Sequence, residues 1–219
     1  MVIVVSLSPL SAQYKITGQV TDSRGRYQKM ILEYVPTIHD LGSADMNNIV
    51  NTAFMDSLGN FEFTGIGLPE EKALYRISAN KAEVGIGISN GLNKNHIIIS
   101  LDNKSIIHIS DCFDISSDFS GCTVTGNAES TIIQQIYDSI LSPVLKDLHQ
   151  PNNYNSETKN QFITNKFLTD IKQCADTTSY ILAGLVGIGM IDNLKKDYKL
   201  DPEYYDQLIA KWELSLIHI

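Results

Sequence analysis

Positive charge is scarce in this chain. Seventeen Lys and Arg stand against 25 Asp and Glu, for a net charge of −8 and an isoelectric point near 5.0. The only adjacent basic pair is Lys195-Lys196. Nucleic-acid binding needs a dense basic face, so that class of function is excluded; the acidic balance serves solubility. Cysteine is scarcer still: Cys112, Cys122 and Cys174, none of them in a C-x-x-C pair. The chain therefore has no dithiol motif and no cysteine spacing suited to zinc. Buried free thiols are the ordinary outcome for such residues. A Cys112–Cys122 bridge between neighbouring strands is the alternative in an oxidising compartment. Long apolar runs are missing too; nothing approaches the ~20 residues that span a bilayer. Disorder is the one further class that composition removes. With 43% hydrophobic and 19% charged residues over 219 positions, the chain can bury a core large enough for one domain or two small ones.

The two ends are unlike the rest. Residues 1–12 (MVIVVSLSPLSA) form a short apolar run, then Pro9, then small residues around Ala12, the pattern of a secretory signal and its cleavage zone without the basic start. The expectation is an exported protein of the periplasm or cell envelope, cut after Ala12 and lacking a lipid-anchored Cys. Residues 214–219 (LSLIHI) resemble the translation of a transposase end sequence used to prepare sequencing libraries. Read so, they are an artefact, His218 carries no meaning, and the gene continues past Glu213.

Between these ends, strand signals come first and helix signals second. Residues 14–21 alternate polar and apolar, and Asp22-Ser23-Arg24-Gly25 is a turn. Further strands are expected at 30–35, 49–55, 61–63, 74–79, 84–88, 96–101, 105–109 and 118–124, with residues 37–48 as a long polar surface loop. Asp56-Ser57-Leu58-Gly59-Asn60 is a hairpin turn in which Gly59 takes positive φ. The β-branched runs Ile97-Ile98-Ile99 and Ile106-Ile107 suit a sheet buried on both faces or an inner sandwich strand. From Asn127 the apolar period becomes helical, through Ile132, Ile133, Ile136, Ile140, Leu141, Val144, Leu145 and Leu148. Pro143 there either starts a new helix or marks a kink. Helices are also expected over 156–175, after the caps of Asp176-Thr177-Thr178, and from Asp201-Pro202-Glu203. The fold class that follows is α+β: an antiparallel β-sandwich of about eight short strands (13–126), then a bundle of about four helices (127–213).

No residue in this pattern is assigned a catalytic, cofactor-binding or metal-binding role. Gly184-Leu185-Val186-Gly187-Ile188-Gly189 reverses the dinucleotide fingerprint, follows no strand, and is better explained by close helix packing. Val84-Gly85-Ile86-Gly87 marks a bulge or close backbone approach. Asp56 to Asn60 is half of a calcium loop without the distal Glu. Asp111, Asp114 and Asp118 make a loose acidic patch at a sheet edge. His39, His96, His108 and His149 show no ligand spacing, although His96 and His108 lie on strands expected to be adjacent. No cysteine has a nearby basic partner.

The order of the motifs carries a resemblance. Tyr14-Lys-Ile-Thr-Gly-Gln-Val20, Met55-Asp-Ser-Leu-Gly-Asn-Phe-Glu-Phe-Thr-Gly65, Leu74-Tyr-Arg-Ile77 and Val124-Thr-Gly-Asn127 together resemble a β-rich domain of unknown function at the N-terminus of exported thioredoxin-like proteins of Bacteroidetes-type bacteria. Phe167, Ala175-Asp-Thr-Thr-Ser179 and Asp197-Tyr-Lys-Leu-Asp-Pro-Glu-Tyr-Tyr205 are similar to the helical region of those proteins. The resemblance implies a thioredoxin fold with a C-x-x-C site further along the intact chain, and no catalytic residue in this part of it. The function it implies is that of a non-catalytic accessory or scaffold region of a cell-envelope thiol–disulfide oxidoreductase, possessing no cofactor and partnered by its own thioredoxin-like domain. The alternative is a stand-alone surface sandwich binding a glycan or peptide at loop 37–48, with Tyr27 and Tyr34 nearby.

Overall fold

The computed structural model describes residues 14–22, 24–81, 86–88, 95–112, 121–143, 146, 166, 169–171, 173, 174, 177, 179–195 and 210. Eight strands fall within them: β1 (Tyr14–Gln19), β2 (Lys29–Tyr34), β3 (Ile49–Phe54), β4 (Asn60–Gly65), β5 (Ala73–Asn80), β6 (His96–Leu101), β7 (Ile106–Ser110) and β8 (Thr123–Thr125). They divide into two four-stranded sheets, ordered β4-β1-β7-β8 and β3-β2-β5-β6. The alternation seen in residues 14–21 is used as written. Tyr14 and Ile16 turn inward and are buried, whereas Lys15 and Gln19 stay exposed.

One pairing departs from the antiparallel expectation. β1 and β7 run parallel, with Thr17 opposite His108, so the first sheet is mixed. Residues 20–105 separate the two strands, and β1 supplies the edge that β7 needs on its way back from the second sheet. The strand expected over 84–88 is not formed where it is described: Ile86–Ile88 have no ladder. Gly87 is instead held by side chains, its N–H donating to Asn80 Oδ1 at 2.7 Å and its carbonyl accepting from Asn95 Nδ2 at 2.8 Å.

The inner faces of the two sheets close on one core, in which Ile16, Phe63, Met30, Leu32, Tyr75, Ile77, Ile97 and Ile107 are almost fully buried. The second sheet is buried on its other face as well. Leu74, Ile98 and Val35 there meet Ile133 and Ile136 of α1 (Ala128–Ile136) and Ala183 and Val186 of α2 (Ile181–Lys195). This explains the uninterrupted burial of β5 and β6, which are the middle layer of a sheet–sheet–helix stack. The expected bundle of about four helices is not supported. The described helical elements are α1, a π-helical continuation at Tyr137–Leu141 and α2, and only α2 is long. Their apolar residues pack on the sheet, which offers a wider apolar surface than one helix offers another. All the described residues from Lys166 to Thr177 are helical, within and just past the helix expected over 156–175. The expected helix from Asp201 lies almost wholly outside the described residues.

Pro143 stands at the start of an α-helical stretch, in keeping with one of its two expected readings: Ser142 and Pro143 are helical directly after the π-helical residues Tyr137–Leu141. It follows the π turn, in which the Ser142 N–H donates to the Tyr137 carbonyl five residues back. A proline cannot donate, and its ring clashes with the carbonyl four residues earlier; the wider π turn just before it relieves that clash. The start of α1 is as expected from sequence: Asn127 Oδ1 accepts from the Ser130 N–H at 3.0 Å.

Candidate binding site at one end of the sandwich

Loop 37–48 is less a free surface loop than a strap. It folds into two short 3-10 turns, Ile38–Gly42 and Met46–Asn48, and Leu41 is buried. Its anchor is an ion pair inside the helix-facing side of the second sheet. Glu33 of β2 lies directly opposite Arg76 of β5, and Arg76 Nη1 donates to Glu33 Oε2 at 2.7 Å with both side chains essentially inaccessible. Arg76 Nη2 also donates to the Asp40 carbonyl, and Glu33 Oε1 accepts from the Asp45 N–H at 2.7 Å. Burial pulls the Arg76 guanidinium below its ordinary range, against the opposing pull of Glu33. Gly189 of α2 closes the strap from outside. A Cβ there would collide with Leu41 Cδ1 and stand 3.0 Å from the Ile38 carbonyl oxygen. Gly189 is thus a packing glycine, whereas a Cβ at Gly187 would make only ordinary contact with Ile171.

Tyr34 packs against Tyr75, with ring centroids 5.6 Å apart. Burial, then the neighbouring Tyr34 and Tyr14, push the Tyr75 phenol up to about 12. Tyr27 is not near this loop at all. It precedes β2 while Tyr34 ends it, and seven residues of extended chain separate the two by roughly 23 Å. The expected grouping of loop 37–48, Tyr27 and Tyr34 is therefore corrected: the two tyrosines sit at opposite ends of the sandwich.

Two open grooves among the described residues lie at the Tyr27 end. One, of about 590 Å³, runs between the β1–β2 turn and the β3–β4 hairpin and is lined by Asp22, Tyr27, Phe54 and Leu58 among others. Another, of about 600 Å³, runs over the outer face of the first sheet and is lined by Thr17, Gln19, Phe54, Asn60, Glu62 and His108 among others. Phe54 borders both and is 70% exposed, and Leu58 is 71% exposed. Asp56 borders both too, yet its carboxylate is occupied by the turn. It accepts from the N–H groups of Leu58 at 2.8 Å and Asn60 at 2.9 Å, and from Asn60 Nδ2 at 2.9 Å. These bonds, the Asn60 side chain first, hold its carboxyl below the ordinary value. Gly59 takes φ +80° as expected, and a Cβ there would strike the Val20 carbonyl. The half calcium loop is thus a hairpin turn whose ligands are its own amides.

The remaining sequence candidates divide plainly. His96 and His108 do not meet, because β6 and β7 belong to different sheets. His108 instead meets Thr17, Nδ1 to Oγ1 at 3.0 Å on an exposed face. The sequence reading missed this pair because it depends on the parallel β1–β7 register. Thr17 Oγ1 and His108 are a hydroxyl and a base within reach, and no acidic orienter bonds the imidazole among the described residues. His39 is exposed on the strap, and His149 lies outside the described residues. Asp111 is exposed at φ 53°, while Asp114 and Asp118 lie outside the described residues. No group of three or more His, Cys, Asp or Glu capable of holding a metal occurs among the described residues. Gly87-Ile88-Ser89-Asn90-Gly91 has G-x-S-x-G spacing, although Ser89–Gly91 lie outside the described residues. The nucleophile elbow needs a strand before and a helix after. Here Ile86–Ile88 form no strand and β6 begins at His96.

Cys112 and Cys122 are joined in a disulfide that ties the end of β7 to the start of β8. Of the two readings open from sequence, the bridge is the one realised. Cys174 is free and half-buried, its thiol pushed up by burial. No described helix is long and apolar enough to cross a membrane. No protein-family signature, curated protein or solved structure matches the chain.

Proposed function

We propose that this chain is the accessory, non-catalytic region of an exported thiol–disulfide oxidoreductase of thioredoxin-like kind, acting in the periplasm or cell envelope. The motif order from Tyr14 to Tyr205 supports the family reading. The single structural observation that supports it is the Cys112–Cys122 bond, since disulfides persist in oxidising compartments and are rare in reducing ones. The accessory role draws support from how the polar side chains are used. Glu33, Arg76, Glu129 and Ser130 are buried and spend their hydrogen bonds on a neighbouring strand, the strap or the adjoining layer. Such a body positions something else; it does not itself turn over a substrate.

The uninterrupted gene is the test. A thioredoxin-like stretch with C-x-x-C is expected within a couple of hundred codons past Glu213. A stop codon directly after Ile219, or reduction of insulin disulfides by purified residues 13–213, would remove the proposal.

A further inference from the structure

We infer that the groove over the outer face of the first sheet is a saccharide site, with Phe54 as its apolar platform. The inference is independent of the redox reading. Phe54 presents its side chain at 70% exposure beside a polar strip drawn from three strands. Each member of the strip is held from within the protein. Gln19 Nε2 donates to the Leu58 carbonyl at 3.2 Å, Asn60 Nδ2 to Asp56 at 2.9 Å, and His108 Nδ1 is engaged by Thr17. One polar atom of each stays uncommitted among the described residues: Gln19 Oε1, Asn60 Oδ1 and His108 Nε2. The strip therefore offers two fixed acceptors and an imidazole nitrogen on side chains whose ordering cost has already been met, the condition for useful affinity from few contacts.

Charge selects the ligand class. Glu62 is paired with Lys15 at 2.8 Å, and Asp56 is saturated by its own turn. A cationic peptide thus finds no carboxylate without a partner, and a polyanion finds no Lys or Arg among the residues lining the groove. Addition of a peptide strand is also hindered at the middle of β3. Along the free edge of β3, the Thr52 N–H is taken by Asn51 Oδ1 at 2.8 Å, and Asn51 Nδ2 bonds the Thr64 carbonyl at 3.1 Å, stapling the edge to β4. What fits is a neutral, polyhydroxylated ring with one apolar C–H face: the face lies on Phe54 and the hydroxyls meet Gln19, Asn60 and His108.

The test titrates the full chain by calorimetry and amide chemical shifts with neutral gluco-, xylo-, manno- and galacto-configured oligosaccharides, a uronate oligosaccharide and a lysine-rich peptide. At least one neutral sugar is expected to bind with a Kd below about 10 mM, shifting Thr17, Gln19, Asn60 and His108. Phe54→Ala is expected to weaken that binding roughly tenfold, a change of about 1.4 kcal/mol, with the circular dichroism unchanged because the ring is exposed. Gln19→Ala leaves Phe54 in place and is expected to weaken binding several-fold. No binding by any neutral sugar, binding indifferent to Phe54→Ala, or tighter binding of the uronate or the peptide would each overturn the assignment.

Discussion

Arg76 shows how much one residue holds in this protein. It is wholly buried on a strand, and its guanidinium reaches across to Glu33 and up to the Asp40 carbonyl. Nothing in Leu74-Tyr75-Arg76-Ile77 marks that arginine as internal; an alternating strand would place it on a wet face. Its environment follows from the strap folded over it. Removing one partner of a buried pair leaves the other charge uncompensated, which costs far more than the pair itself is worth. Arg76→Ala is therefore expected to lower the unfolding free energy by roughly 3–5 kcal/mol, read from urea denaturation. Replacing Arg76 by Met and Glu33 by Leu together is expected to cost less than either change alone. A loss under about 1 kcal/mol for Arg76→Ala would mean that the pair does not anchor the strap.

Among the elements, α2 carries the sharpest contrast. Two of its glycines look alike in sequence and differ in space. A Cβ at Gly187 would meet Ile171 carbons at 3.6 Å, an ordinary contact, whereas one at Gly189 would press on Leu41 and the Ile38 carbonyl. Gly187→Ala is thus expected to raise stability by about 0.5–1 kcal/mol through helix propensity. Gly189→Val is expected to lower it by roughly 1–3 kcal/mol through overpacking. Thermal unfolding of the two variants decides this, and equal shifts would contradict the close approach of α2 to the strap. Between α1 and α2, Glu129 joins the layers. Its Oε2 accepts from Ser100 of β6 at 3.0 Å, and its Oε1 accepts from the Leu182 N–H at 2.9 Å, at the positive end of α2. The helical segment is in this way bonded to the sheet it covers.

For the molecule as a whole, the disulfide closes a ten-residue span beside the β7–β8 pair, and the Gly121 N–H next to it bonds Asp138 beyond α1 at 3.0 Å. Cross-linking a loop of that size is expected to stabilise the folded chain by roughly 2–3 kcal/mol relative to the reduced form. Unfolding with and without dithiothreitol measures it, together with the single-sulfur variant Cys112→Ser as a control. Identical midpoints would show that the bond plays no part in stability.

Much of this architecture was readable before any fold was known. Eight of the nine expected strands, Gly59 at positive φ, the change of period at Asn127 and the two-sided burial of Ile97–Ile99 all follow from local rules, because turn chemistry and side-chain period act over a few residues. What the sequence could not decide depends on partners far along the chain. The parallel β1–β7 register set Thr17 beside His108, and separate sheets kept His96 from His108. The strap buried Arg76 with Glu33, and strand pairing set Phe54 beside two open grooves. The helical bundle was expected for the same reason: an apolar period announces a face to be buried, and only packing decides that the described helices lay that face on a sheet. Local periodicity determines which residues turn inward; tertiary contact decides what they meet, since that depends on chain closure over tens of residues.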